Sequence, residues 1–409
     1  MRAFDRMWSE LEPIGKDPRT GGYRRFAYQP AELQCREWFV STADDCGLEV
    51  DADRNGNLWA WWAPAGAAAD AKALVVGSHL DSVPDGGAFD GPLGVVSAFA
   101  ALTELRDQGW QPTRPLALVA FADEEGAPFG IACAGSRLLT GALDPNRARE
   151  LRGRDGRTMA EAMQSAGHDP NGLGRQDDLL TRIGCFVELH VEQGRALVDL
   201  EAPVGVASAI WPHGRYRFDF CGQANHAGTT AMVDRKDPMI AYAATALAAR
   251  TAALHAQARA TFGRLEVEPN GTNAVPSRVQ AWLDARAESD AGLRALVDAV
   301  QQAATQASQE HGTTVEVVAE SVSGATTFDL GLRGQVLAAI SMSRDGASTP
   351  VLPTGAGHDA GVLADAGIPS AMLFVRNPTG ISHSPDEFAE REDCVAGVHA
   401  LAAVMRNLG

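Results

Sequence analysis

Positive charge is scarce in this 409-residue sequence: 35 Lys and Arg face 52 Asp and Glu, for a formal net charge of −17. That balance argues against nucleic acid or an anionic membrane as the partner. It also leaves an excess of acids that bound cations could neutralise. Long apolar runs are missing too. None reaches the length of about 18 residues expected of a membrane-spanning helix, and the start "MRAFDRMWSELEPIG" has no apolar core suited to a signal peptide. Cysteines are few and scattered (Cys35, Cys46, Cys133, Cys185, Cys221, Cys394), without C-x-x-C spacing. They read as reduced, mostly buried small hydrophobes of a cytosolic protein. What remains is ordinary globular material, 45% hydrophobic and 21% charged. The chain is long for one core, so two domains or one elaborated domain are expected.

Up to about residue 210, strand and helix patterns alternate. "AELQCREWFVSTADDCG" reads as an amphipathic helix, "NLWAWWA" and "ALVVGSH" as strands, and "GVVSAFAALTELRDQG" as a helix closed by Gly109. "PLALVAFADEEG" and "IGCFVELHVEQG" are buried strands that run into polar loops. Such alternation implies βαβ units and a mostly parallel sheet. The pattern changes near Trp211. "RYRFDFCG", an Ala-rich helix, two strands, a second helix and "TTVEVVAES" give the order β-α-β-β-α-β, a split ferredoxin-like unit. Strand-then-helix alternation resumes after about residue 325. The expected architecture is therefore an α/β domain with a mostly parallel sheet over 1–210 and 326–409, with a ferredoxin-like α+β domain inserted at 211–325.

Four apolar strands of the larger part each end in a loop of metal-competent side chains. "HLDSVPDGGAFDG" carries His79, Asp81 and Asp90; "AFADEEG" carries Asp123, Glu124 and Glu125. "VELHVEQG" carries Glu188, His190 and Glu192, and "TGISHSPDE" carries His383 and Asp386. One H-x-D, or one Glu-Glu pair, is more often a solvated turn. Parallel strands, however, deliver their C-terminal loops to one sheet edge, so these groups can meet. Imidazoles with carboxylates and no thiolate suit Zn²⁺ or Mn²⁺. Glu124 and Glu125, as neighbours on an extended segment, should face opposite sides. One can then bind metal while the other faces a water.

Together "GSHLDSVPDGGAFDGPLGV", "ADEEGAPFG", "ELHVEQG", "NHAGTT", "GAGHDA" and "SHSPDE" resemble the N-carbamoyl-L-amino-acid hydrolase and allantoate amidohydrolase branch of the di-metal aminoacylase and carboxypeptidase-like family. The resemblance spans most of the chain and is specific for the branch, not for the substrate. It implies that His79, Asp90 and His190 hold one metal, and Asp90, Glu125 and His383 the other, with Asp90 bridging. It implies Asp81 as the orienter of His79, Glu124 as general base and His226 as oxyanion stabiliser. Asn273, Arg286, Gln193 and the backbone at Gly357 would complete the substrate pocket, with Arg286 clamping a carboxylate. Taken alone, His226 would read as a structural histidine and Arg286 as a surface arginine paired with Asp284.

The expected protein is thus a cytosolic amidohydrolase with two divalent ions (Zn²⁺ or Mn²⁺, with Co²⁺ or Ni²⁺ as alternatives) that cleaves a linear, non-peptide C–N bond. Its substrate would be a small carboxylate, an N-carbamoyl-L-amino acid or allantoate. The alternatives are a formimino, formyl or acyl amino acid, a dipeptide, or a binding protein of the same fold that lost its chemistry. "RYRFDFCG" and the long Ala-rich helix suggest an edge strand and a face able to pair with a second copy; the resemblance implies a homodimer formed this way through the lid, in which His226 is expected to act in the partner's site and Glu124 in its own. It also implies a cis peptide after Asp90.

Overall fold

A computed structural model describes residues 2–68, 70–153, 155–343 and 348–409. The chain divides into two compact units, one of Met1–Ser208 with Thr327–Gly409 and one of Ala209–Thr326.

The larger unit is built on a mixed sheet. Its strands include β1 (Glu49–Ala52), β2 (Leu58–Trp62), β3 (Ala73–His79), β4 (Leu116–Phe121), β5 (Ile183–Val191) and β6 (Val204–Ile210). They lie in the order β1-β2-β4-β3-β5, then Ser370–Val375, then β6. The four central strands, β4, β3, β5 and Ser370–Val375, run parallel. Both margins are antiparallel. The β1–β2 margin departs from a simple βαβ reading because residues 53–57 close a tight hairpin. There Asp53 accepts the main-chain N–H groups of Asn55 and Asn57 on one oxygen and the Asn57 and Trp59 side chains on the other. Such a short connection can join only antiparallel strands.

The central strands are apolar because both faces are covered. Every residue of β3 and β4 is buried. The polar groups lie at or just past the C-terminal ends of these strands, Glu188 and His190 still within β5, so the sheet presents its chemistry at one edge. The helix Pro92–Asp107, closed by Gly109 at φ 75°, packs on β3 and β5. Gly94 makes this approach possible, since a Cβ there would collide with the Leu189 carbonyl and lie 2.6 Å from the Ser78 Cβ. Gly94→Ala should therefore lower stability by about 1–3 kcal/mol, as overpacking does. Chemical denaturation would read this as a fall in midpoint at unchanged slope.

The smaller unit holds β7 (His213–Cys221), β8 (Arg259–Glu268), β9 (Arg278–Arg286) and β10 (Thr314–Ser323). They form an antiparallel sheet in the order β10-β7-β9-β8. The helices Pro238–His255 and Asp290–Glu310, capped by Asp237 and Ser289, cover one face over a core that includes Phe218, Phe220, Leu283 and Val300. This order corrects the edge-strand expectation. "RYRFDFCG" lies in β7, paired on both sides, and the free margins belong to β8 and β10. In a β-α-β-β-α-β chain the first and third strands pair centrally, so hydrophobic alternation alone does not mark an edge. Among the described residues, no helix is long and apolar enough to cross a membrane.

Candidate metal centre and active site

His79 is the last residue of β3, and its buried ring turns back toward the loop that follows. Its Nδ1 lies 3.2 Å from the main-chain carbonyl of Asp81 and 3.5 Å from that residue's Oδ1. His190, near the end of β5, directs Nδ1 to the Val191 carbonyl at 2.8 Å. A carbonyl can only accept, so each Nδ1 carries the proton and each Nε2 presents a lone pair. Both Nε2 atoms are buried without a hydrogen-bond partner. Both face the same oxygen, Asp90 Oδ1, at 3.5 and 3.1 Å. Lone pairs aimed at a carboxylate oxygen require a cation between them or protons on the rings.

The other oxygen, Asp90 Oδ2, lies 3.4 Å from His383 Nε2, which is 3.6 Å from Glu125 Oε2. Two ligand-type triads therefore share Asp90: His79, Asp90 and His190, and Asp90, Glu125 and His383. Within each, the donor atoms all lie within 4.8 Å of one another. This donor set of imidazoles and carboxylates fits divalent cations of the Zn²⁺ or Mn²⁺ kind. His383 holds φ 56°, a left-handed conformation that a residue with a side chain adopts at a cost.

Glu124 and Glu125 do diverge, but not by strand alternation. β4 stops at Phe121, and Asp123 at φ 52° turns the chain into a bend. Glu124 Oε2 then lies 3.7 Å from His79 Nε2, while Glu125 faces His383. Asp81 meets more than His79. Its two oxygens accept the N–H groups of Glu124 and Glu125, at 3.1 and 3.0 Å, so one carboxylate ties the β3 loop to the β4 loop.

The peptide after Asp90 is not cis; among the described residues only Glu268–Pro269 is. Gly91 redirects the chain instead, with φ 83° and ψ −60°, a region open to glycine. It also makes room for a ligand-type ring, since a Cβ at Gly91 would overlap the His79 imidazole.

Burial of so many acids together sets the electrostatics. Burial, then Asp81, Asp90 and Glu188, push the Glu124 carboxyl up to about 7 against the opposing pull of His79. Burial and the neighbouring Asp90 and Glu124 hold Glu125 well above its ordinary value. Burial would raise Asp90 as well, but His190 and His79 bring it well below the usual range. Burial alone would lower His190, and Asp90 instead takes it to about 9. The pocket thus holds protons that a dication would displace.

Gln193 donates from Nε2 to Asp90 Oδ2 at 2.7 Å, so it touches the shared acid directly. Gly357 is exposed, and the next residue, His358, is buried with its ring centroid 4.6 Å from that of His190. In the smaller unit, His226 and Asn273 are neighbours: Ala274 pairs with His226, and Ala227 N–H donates to the Asn273 carbonyl at 2.9 Å. His226 Nδ1 accepts from the N–H groups of Gly228 and Thr229, at 3.1 and 3.2 Å. That leaves the proton on Nε2. Arg286, the last residue of β9, makes a two-point pair with Asp284 through Nε and Nη2, at 2.8 and 3.1 Å.

Several acids of the four loops have structural partners. Glu188 accepts from Ser78 and from the Ala360 N–H. Glu192 accepts from the Ala196 and Leu197 N–H groups. Asp386 is exposed, and Asp123 is buried with neither carboxylate oxygen hydrogen-bonded. Two groups escaped the sequence reading, His358 and Glu387. Glu387 Oε1 accepts the N–H groups of Phe89 and Asp90, at 2.9 and 3.0 Å. Both lie inside motifs already singled out, "GAGHDA" and "SHSPDE".

Comparison with known proteins identifies the family. The model of Peptidase family M20/M25/M40 matches residues 75–407. An N-carbamoyl-L-amino acid amidohydrolase from Geobacillus stearothermophilus is 36% identical over 402 residues, covering 97% of this chain and 96% of its own. An allantoate amidohydrolase from Escherichia coli is 31% identical, covering 97% and 95%. A solved amidase of the hydantoinase/carbamoylase family from Burkholderia vietnamiensis superposes with a TM-score of 0.86 at 29% identity, covering 100% and 97%. Over nearly its full length, then, the chain belongs to Peptidase family M20/M25/M40, in the branch of the N-carbamoyl-L-amino acid and allantoate amidohydrolases.

Proposed function

We propose that the chain is a metal-dependent amidohydrolase that cleaves the linear C–N bond of a ureido acid, an N-carbamoyl-L-amino acid or allantoate. One observation carries the reading: two imidazole lone pairs and a third imidazole converge on the two oxygens of Asp90 beside Glu124. His79, Asp90 and His190 would hold one divalent ion, and Asp90, Glu125 and His383 the other. Two such ions supply Lewis-acid activation of a water and of the scissile group. Glu124 takes the proton of the attacking water and passes it to the leaving nitrogen. His226 donates from Nε2–H to the oxygen that gains charge, and needs no protonation change to do so. Arg286 and Asn273 bind the substrate carboxylate, Gln193 and the Gly357 backbone close the pocket, and Asp81 keeps His79 aligned with the two glutamates. Water and a carbamoyl amino acid yield the amino acid, ammonia and carbon dioxide. The Ala209–Thr326 unit would act as lid and dimerisation domain, and the enzyme as a cytoplasmic homodimer.

Ammonia release over carbamoyl amino acids, allantoate, ureidopropionate and formimino- or formylglutamate tests the substrate class. No release from any ureido acid by metal-loaded protein would overturn it. Purified with its ions retained, the protein should hold about two divalent cations per chain, as two triads require. Elemental analysis should find about one ion left in His79→Ala, and less in Asp90→Ala, because both triads use Asp90. Unchanged metal content in both variants would refute the ligand assignment.

A further inference from the structure

One buried nucleophilic group next to the chemistry has no part in the mechanism above. The Cys133 thiol donates to Glu124 Oε1 at 3.2 Å, and the residue is buried at 2% exposure. The main chain around it is tied to the same segment. The N–H groups of Cys133, Ala134 and Gly135 donate to the carbonyls of Glu124, Asp123 and Ala122, at 2.5, 3.0 and 2.9 Å. The start of the helix Ala134–Thr140 therefore lies antiparallel along the stretch that carries the glutamate. Cys133 itself holds φ 55°, where glycine or asparagine would be less strained.

We infer that Cys133 is a positioning residue for Glu124: its thiol holds Oε1 at the back of the site, so that Oε2 faces the reacting proton. Oε2 is the oxygen that lies 3.7 Å from His79 Nε2. The inference rests on the reading of Glu124 as general base. A thiol suits this task because it is a weak donor. It selects one carboxylate orientation while drawing off less basicity than a hydroxyl or an amide would.

The test uses the full-length, metal-loaded protein. Cys133→Ala should lower kcat by about tenfold, the scale of one hydrogen bond to a charged group, with KM and metal content unchanged. Cys133→Ser restores a donor and should recover most of the loss. An alanine variant with wild-type kcat would overturn the inference, and so would a serine variant no better than alanine, which would reduce the role to packing. A second readout needs no turnover. The S–H stretching band of Cys133, isolated as the infrared difference between wild type and Cys133→Ala, should move to higher frequency in Glu124→Gln, whose amide oxygen accepts more weakly. A band that does not respond to Glu124→Gln would overturn the contact. If the protein cleaved no ureido acid, the functional reading would fall while this band still tested the contact.

Discussion

Glu124→Gln should retain its metals and its substrate KM and lose about 10²–10⁴-fold in kcat, the contribution of a positioned general base. The substitution preserves volume and still offers an amide oxygen to the Cys133 thiol, so the pocket need not rearrange. What disappears is the capacity to take a proton. Glu125→Gln is the informative partner, because it has the same chemistry one residue away. Glu125 faces His383 and belongs to the second triad, so that variant should lose metal together with activity. Identical behaviour of the two, in metal content as well as rate, would mean the roles are misassigned. The pH profile supplies a further check. Burial and neighbouring acids push Glu124 to about 7 in the bare pocket, and cations at the triads would lower it, since they favour the ionised form. The base must be deprotonated to act, so kcat should fall as pH drops through that lowered value. The acidic limb should be absent from the residual rate of Glu124→Gln.

That the polar loops could meet at one sheet edge was legible from a simple physical pattern, whereas Asp90 as the shared acid came from the family resemblance. Apolar runs such as "ALVVGS" and "PLALVAF" that pass into acids and histidines mark the ends of buried strands and so one sheet edge, while in β5 the acid Glu188 already lies inside the strand, held by Ser78 and the Ala360 N–H. Less legible was whatever depends on groups that every residue shares. Asp81 accepts main-chain N–H groups of Glu124 and Glu125, and Glu387 those of Phe89 and Asp90. Peptide donors leave no trace in residue identity, so neither bracket can be read from spacing. Strand order is hidden for a related reason. The alternation of "RYRFDFCG" states that one face is covered, yet says nothing of what pairs along its sides, and β7 proves to be interior. The cis-peptide expectation failed for a local reason, because Gly91 can reach φ 83° and turn the chain with a trans bond.

Glu124→Gln and His226→Ala, each nearly inactive as a homodimer, should regain activity when mixed. The expectation rests on the proposal that, in a homodimer joined through the lids, His226 reaches over into the partner's site while Glu124 serves its own. In a mixed dimer, the chain carrying His226→Ala keeps its base and receives an intact His226 from the Glu124→Gln chain. The reciprocal site has neither. Random pairing of equal amounts makes half the dimers mixed, so activity should return to roughly a quarter of wild type for a two-fold dimer. If His226 served its own chain, every site would lack one group or the other and mixing would restore nothing. Support for pairing comes from the helix Pro238–His255, where Ile240, Leu247 and Leu254 are 43%, 69% and 60% exposed. They recur every seven residues, as a seam between two helices does. The same stripe gives the control. Leu247→Glu would place a charge in the proposed seam and should yield monomers by light scattering, with activity lost to the extent that His226 must come from a second chain. Fully active Leu247→Glu monomers, or verified mixed dimers that stay inactive, would refute the shared site.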